Sequence, residues 1–294
     1  MVWILLVLLY GVFKGFREIA KKKAIEQNTV METLFFYSLL AFLMIIPTAK
    51  DALEMMPKYY GLIFLKSFVI FIAWILGFEA IKKMPISTYG VLDLSRVLFS
   101  TFFGVTILHE VLGLTQIIGI ILVGGGLLLL KYQPKKGANE DTDSQQKEDI
   151  ERQQKVSILV VIAAFGSCFL NALSGLMDKL FMQDVSSSQL QFWYMLYLVL
   201  LYLGFILVRR IPLHLSALKN KWIWILSILF VIADKALFVA NGYPESRVSV
   251  MTLLKQAGCI VTIFAGRFLF KEKNTGHKLF CAAIIIAGIT LGSV

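Results

Sequence analysis

Charge is what this sequence lacks most. Of its 294 residues only 16% are Asp, Glu, Lys or Arg, against 58% hydrophobic, and the mean hydropathy is +0.76. A soluble domain carries about 25% charged and about 45–50% apolar residues. Apolar surface on this scale cannot be hidden in water, so the solvent is lipid. Cysteine is scarce as well. Cys168, Cys259 and Cys281 lie in apolar stretches without metal-ligand spacing, which excludes a disulfide framework and a zinc site. His109-Glu110 has no second histidine in HExxH register, and neither a Walker A sequence nor a GxSxG elbow occurs. The chain therefore reads as a non-enzyme, with no catalytic residue, metal or cofactor assigned. The apolar run Met1 to Tyr10 lacks a basic n-region and a small-residue cleavage site, so it counts as the first membrane helix rather than a signal peptide.

Long apolar runs are abundant. About 20 residues cross the hydrocarbon core as a helix, and that length predicts ten spans, at 1–21, 31–48, 60–80, 86–105, 114–131, 156–178, 189–208, 222–241, 248–269 and 277–293. The expected class is all-α, a polytopic membrane protein. Most connections are short. Residues 132–155 are the exception, a polar and charged stretch that cannot bury a core and reads as a flexible linker. It separates two five-helix halves, 1–131 and 156–294.

The halves repeat. An ungapped offset of 162 matches Ser100 with Thr262, Gly104 with Gly266, Glu110 with Glu272 and Gly126 with Gly288. An odd number of spans per half turns the second copy upside down, giving the inverted five-helix repeats of many secondary transporters. The net charge of +10 would suggest nucleic acid for a soluble domain; here the basic residues gather between spans and report topology, so no nucleic-acid partner is expected. Alternate loops hold 18 and 4 Lys and Arg residues, which places the linker in the cytosol and both termini outside the cell membrane.

EAIKKMPISTYGVL at the third corner, the helix running to ILHEVLG and the glycine-rich IIGIILVGGGLLLLK resemble the EamA family of the drug/metabolite transporter superfamily. A second copy runs from NGYPESRVSVMTLLKQ through LFKEKNTG to IIIAGITLG. The resemblance covers nearly the whole chain, but its degenerate motifs specify a fold better than a substrate. It implies ten helices, a central cavity lined mainly by helices 1, 3, 4, 6, 8 and 9, peripheral helices 5 and 10, and alternating access without ATP. Ten-helix members are usually drawn with both termini in the cytosol. The loop charges argue the reverse here, and the superfamily includes small dual-topology proteins.

Ionisable residues inside spans are costly, so each is a functional candidate. Helical spacing groups Asp93, Arg96, Ser100 and Gly104 on one stripe, and Lys255, Cys259, Thr262 and Gly266 on its repeat mate. Lys14, Arg17, Glu18 and Lys21 share a face of helix 1, and Asn171, Ser174 and Asp178 a face of helix 6; Asp234 and Lys235 adjoin on helix 8. The candidate substrate-binding set is Lys14, Arg17, Lys66, Asp93, Arg96, Asn171, Asp234, Lys235, Lys255 and Thr262. Lys14, Arg17 and Arg267 could instead snorkel to an interface. Asp93 is the expected partner of Lys255, its mate in the repeat. Trp74, Tyr89, Trp193 and Tyr194 could stack on a ligand ring or serve packing alone. The excess of cations points to a small anionic substrate carrying phosphate or carboxylate. If the charges only pair among themselves, export of neutral or zwitterionic amino acids or drugs is the alternative, and a membrane enzyme or scaffold the alternative of another class. Gly11–Gly15 and Gly288–Gly292 fit GxxxG, which serves helix packing and admits a homodimer.

Overall fold

The computed structural model describes residues 2–131, 157–270 and 275–292. The linker and Glu272 lie outside the described residues. Among those described are twelve α-helices and no strand. In chain order α1 is Val2–Gln27, α2 Val30–Ile45, α3 Pro57–Lys83, α4 Ile86–Asp93, α5 Arg96–Ile107 and α6 Leu114–Lys131. Then come α7 Ile158–Phe181, α8 Ser187–Arg209, α9 Lys221–Asn241, α10 Val248–Lys255, α11 Gly258–Phe268 and α12 Thr275–Gly292. Five segments are long and apolar enough to cross a membrane: α3, α7, α8, α9 and the run of α10 with α11. α2, α5 and the described apolar stretches of α6 and α12 are shorter. Leu5, Phe16, Leu65, Phe102, Ile121 and Leu200 face outward and are exposed, while Lys14, Glu18, Lys66, Asp93 and Asp178 are buried. That is the inverse of a soluble protein, and it identifies a multi-pass membrane protein.

Local chemistry marks the same places in each half. Thr29 caps α2 with a capping box, its Oγ1 accepting from Glu32 N at 3.2 Å while the Glu32 carboxylate accepts from Thr29 N at 3.0 Å. Ser186 caps α8 in the same way with Gln189, at 3.2 and 2.8 Å. Lys22, on α1, donates to Ile81 O and Met84 O at the end of α3, at 2.5 and 2.9 Å. Beyond the core of α7, Lys179 donates to Asn241 O and Tyr243 O at 3.2 and 2.7 Å. Each lysine thus ties the first long helix of its half to the end of the third, at a helix C-terminus whose free carbonyls favour a cation.

The halves do not sit side by side. α1 lies along α9, α3 along α7 and α6 along α12, so the most extensive contacts all join one half to the other. α1 also packs on α10 and α11, as α7 does on α4 and α5. Exchanging the two halves turns these pairings into one another.

Two expected spans, 86–105 and 248–269, are each interrupted. α4 ends at Asp93 and α5 begins at Arg96; α10 ends at Lys255 and α11 begins at Gly258, so both breaks fall 162 residues apart. The intervening residues tighten to i→i−3 bonds, Ser95 N to Leu92 O at 3.0 Å and Gln256 N to Leu253 O at 3.0 Å. One continuous helix along each span is thereby corrected to two half-helices, with a charged residue at the end of the first.

Glycine makes the crossing at the second break possible. A Cβ on Gly258 would meet Gly11 O at 2.4 Å, and one on Gly15 would meet Gly258 O at 2.7 Å. A Cβ on Gly288 would meet Gly119 O at 2.8 Å. Both GxxxG pairs are used inside the chain, the first between α1 and α11 and the second between α12 and α6.

Candidate functional site

A cavity runs through the centre of the molecule between α1, α3, α5, α7, α9 and α10, with Tyr89 contributed by α4, Tyr37 by α2 and Tyr194 by α8. Neither α6 nor α12 lines it. Its volume, measured by where the centre of a water molecule fits, is about 80 Å³. That is room for several waters, and the walls give them partners.

The walls carry four ionic groupings. Asp93 accepts from both Lys14 and Arg96, the latter at 2.6 Å from Nη2 to Oδ1. Arg17 Nη1 donates to Asp234 Oδ1 at 2.9 Å, and its guanidinium lies 4.9 Å from the centre of the Phe230 ring. Lys21 donates to both Glu18 oxygens, at 2.8 and 2.9 Å, below the Phe78 ring. Lys66 Nζ stands 3.2 Å from Asp178 Oδ1, out of hydrogen-bonding line, and 3.8 Å from the Tyr194 ring centre. Each grouping joins different helices except Lys21–Glu18, one turn apart on α1.

Lys255 stands outside this pairing. It is the last residue of α10, 91% buried, and it lines the cavity. Among the described residues its ammonium makes no hydrogen bond or ion pair; its neighbour is the Tyr10 ring, 5.7 Å away. Position at a helix C-terminus suits a cation, whereas Asp93 at the C-terminus of α4 meets partial negative charge and needs the two cations it holds. The expected Asp93–Lys255 pair is therefore corrected: α1 crosses beside the second break on Gly11 and Gly15, and it delivers Lys14 to Asp93 first.

Of the ten candidates, Lys14, Arg17, Lys66, Arg96, Asn171, Asp234 and Lys255 line the cavity. Asp93 and Thr262 line a smaller adjoining pocket together with Lys14, Glu18 and Gln256. Thr262 Oγ1 donates to its own helix, at Cys259 O. Lys235 is the exception. It donates to Ser188 Oγ at 2.8 Å near the start of α8 and reaches neither pocket, because neighbours on a helix diverge by about 100° and Asp234 takes the inward face. Lys14 and Arg17 point inward rather than snorkelling; Arg267 is exposed. Trp74, Tyr89 and Tyr194 line the cavity, while Trp193 packs against Tyr60 and Tyr197. Glu18 and Asp178 belong to the cavity although only their shared faces were legible. Tyr10, Tyr37 and Thr252 carried no signal beyond helical position.

Where α5 meets α10, Glu110 ties the two together. Its carboxylate accepts from Val248 N at 2.6 Å and from Ser249 N and Oγ at 3.2 and 2.6 Å. His109 adopts φ 54°, which turns Glu110 back over Gly104, where a Cβ would meet its Oε2 at 2.6 Å. The Gly–Glu spacing noted in the sequence is this turn.

A cavity walled by interlocked helices, two of them broken at charged residues near its middle, is the arrangement of a membrane transporter. The EamA-like transporter family matches residues 1–132 and again 158–294, and the chain belongs to that family. No curated protein matches the sequence. Among solved structures, one titled "Crystal structure of protein" superposes with a TM-score of 0.69 at 13% identity, covering 100% of this chain and 97% of that one, which shows a shared fold.

Proposed function

We propose that this chain is a secondary active transporter of small organic anions bearing phosphate or carboxylate, working by alternating access through the central cavity. One observation carries the reading. Lys14, Arg17, Lys21, Lys66, Arg96 and Lys255 face four acids, Glu18, Asp93, Asp178 and Asp234, leaving two cations in excess. An anion entering the cavity offsets that excess where water is scarce.

The mechanism follows from the breaks and pairings. Ten spans arranged as two inverted five-helix repeats, 1–131 and 156–294, fit the twelve helices once α4 with α5 and α10 with α11 are each counted as one crossing. The 162-residue spacing of the breaks and the exchange of helix pairings between halves support this arrangement. An anion competing with Asp93 for Lys14 and Arg96 binds two conformations unequally, and that difference biases access to one side. The linker lies in the cytosol and both termini outside.

Export of neutral or zwitterionic compounds is the second reading, favoured by the acids that already hold five of the six cavity cations. Counterflow in liposomes containing the purified full-length chain separates the two. Anionic metabolites should exchange and neutral amino acids should not; exchange of zwitterions alone would replace the first reading with the second.

A further inference from the structure

The cavity's charge imbalance has a definite size, and it points to a ligand charge. Asp93 is shared by Lys14 and Arg96, so one of those cations lacks an acid of its own. Arg96 Nε, buried, has no hydrogen-bond partner. Lys255, on the opposite broken helix, makes no ion pair among the described residues; the acids within its electrostatic reach, Asp178 and Asp234, already hold Lys66 and Arg17, and Arg96 and Lys14 lie within the same reach. Two positive charges in excess of the acids thus face one cavity from α1, α5 and α10. Like charges held together in a weakly screened volume repel, and one bound monoanion leaves half of the excess standing.

Resting on the anion-transporter reading, we propose that the cavity is selective for compact dianions of the phosphate-monoester type over monoanions of the same size. Lys255 supplies a point charge. Arg96, with Nε unpartnered among the described residues, supplies the planar fork that suits phosphoryl oxygens. Tyr10, under Lys255, and Tyr89, near the first break, have hydroxyls in the cavity wall that can donate to further oxygens. A monocarboxylate can bridge two cationic groups, as Asp93 does, but it offsets only one of the two excess charges.

Three probes differing by one methyl and one charge test this: methyl phosphate, dimethyl phosphate and trimethyl phosphate. Binding to the full-length chain in liposomes is measured calorimetrically at about pH 8, above the second pKa of a phosphomonoester near ~6. Methyl phosphate should bind at least about tenfold more tightly than dimethyl phosphate, and trimethyl phosphate not measurably. Lys255→Gln should bring the first ratio close to one, whereas Lys255→Arg should keep it. Equal binding of the monoester and diester by the wild-type chain overturns the dianion selectivity while leaving the anion reading standing. Methyl phosphate failing to bind, or trimethyl phosphate binding as well as either anion, overturns both.

Discussion

Lys66 and Asp178 show what a single charged residue costs and gains in this interior. Both are almost wholly buried, and Lys66 has an aromatic ring beneath its ammonium as well as a carboxylate beside it. Removing one member of a buried pair strands the other, at about 3–5 kcal/mol, whereas replacing both by apolar groups of similar volume is often close to neutral. Lys66→Met should therefore lower the thermal unfolding temperature in detergent sharply, and Lys66→Met with Asp178→Leu should recover most of it. A double variant no more stable than the single one would show that the aromatic contact with Tyr194, not the carboxylate, holds Lys66. At this scale the sequence was informative about faces and silent about partners. Three- and four-residue spacing set Lys14, Arg17, Glu18 and Lys21 on one side of α1, and all four line the cavity. Spacing says nothing of which helix lies opposite, so Asp93 was matched with its repeat mate rather than with the lysine that α1 brings to it.

The broken helices and the glycines beneath them belong to the next scale. α1 approaches the α10–α11 break so closely that Gly11, Gly15 and Gly258 leave no room for a Cβ. Lys14 lies between the two glycines of α1, so the same approach fixes how deep it sits. Gly258→Ala should destabilise the protein by about 1–3 kcal/mol, the usual range for overpacking, and weaken transport with it. Gly204→Ala makes the counterpart: it lies on the exposed side of α8 with nothing within 4 Å of a new Cβ, and should raise stability by about 0.5–1 kcal/mol. Thermal unfolding of the two variants beside the wild type checks the pair; an unchanged Gly258→Ala protein would mean that α1 and α11 can part freely. Helix existence was legible from apolar length, and the glycine and glutamate of the α5 turn from the repeat. The breaks were not. Neither Leu94-Ser95 nor Gln256-Ala257 contains proline or glycine, and Gly258, beside the second break, has no counterpart at Arg96 beside the first, so no shared local signal marks the two breaks.

On the scale of the whole molecule, the proposed orientation rests on how the basic residues divide between the two faces. The ends of α1, α3 and α8 and the start of α9 share one face, and they bring Lys22, Lys23, Lys82, Lys83, Arg209, Arg210, Lys219 and Lys221 to it. The opposite face receives Lys50, Lys58, Lys179 and Arg247. Of these four, Lys179 is held by Asn241, Tyr243 and Ser246, and Arg247 donates to Val111 O at 3.3 Å. Residues held by the fold occur on both faces, Lys22, Lys23 and Lys83 among them on the richer one, so the bias of 18 basic loop residues against 4, rather than their pairing, supports the proposed orientation. In the proposed orientation the richer face, where α1 and α3 end, is the cytosolic one and carries the linker. The expected result is that a cysteine placed in the linker of intact cells resists a membrane-impermeant maleimide, while one added at either terminus reacts. The three native cysteines are buried, which keeps the background of such labelling low. Labelling of the linker with protected termini would reverse the orientation, and would mean that the charges on the richer face are held outside against the positive-inside bias.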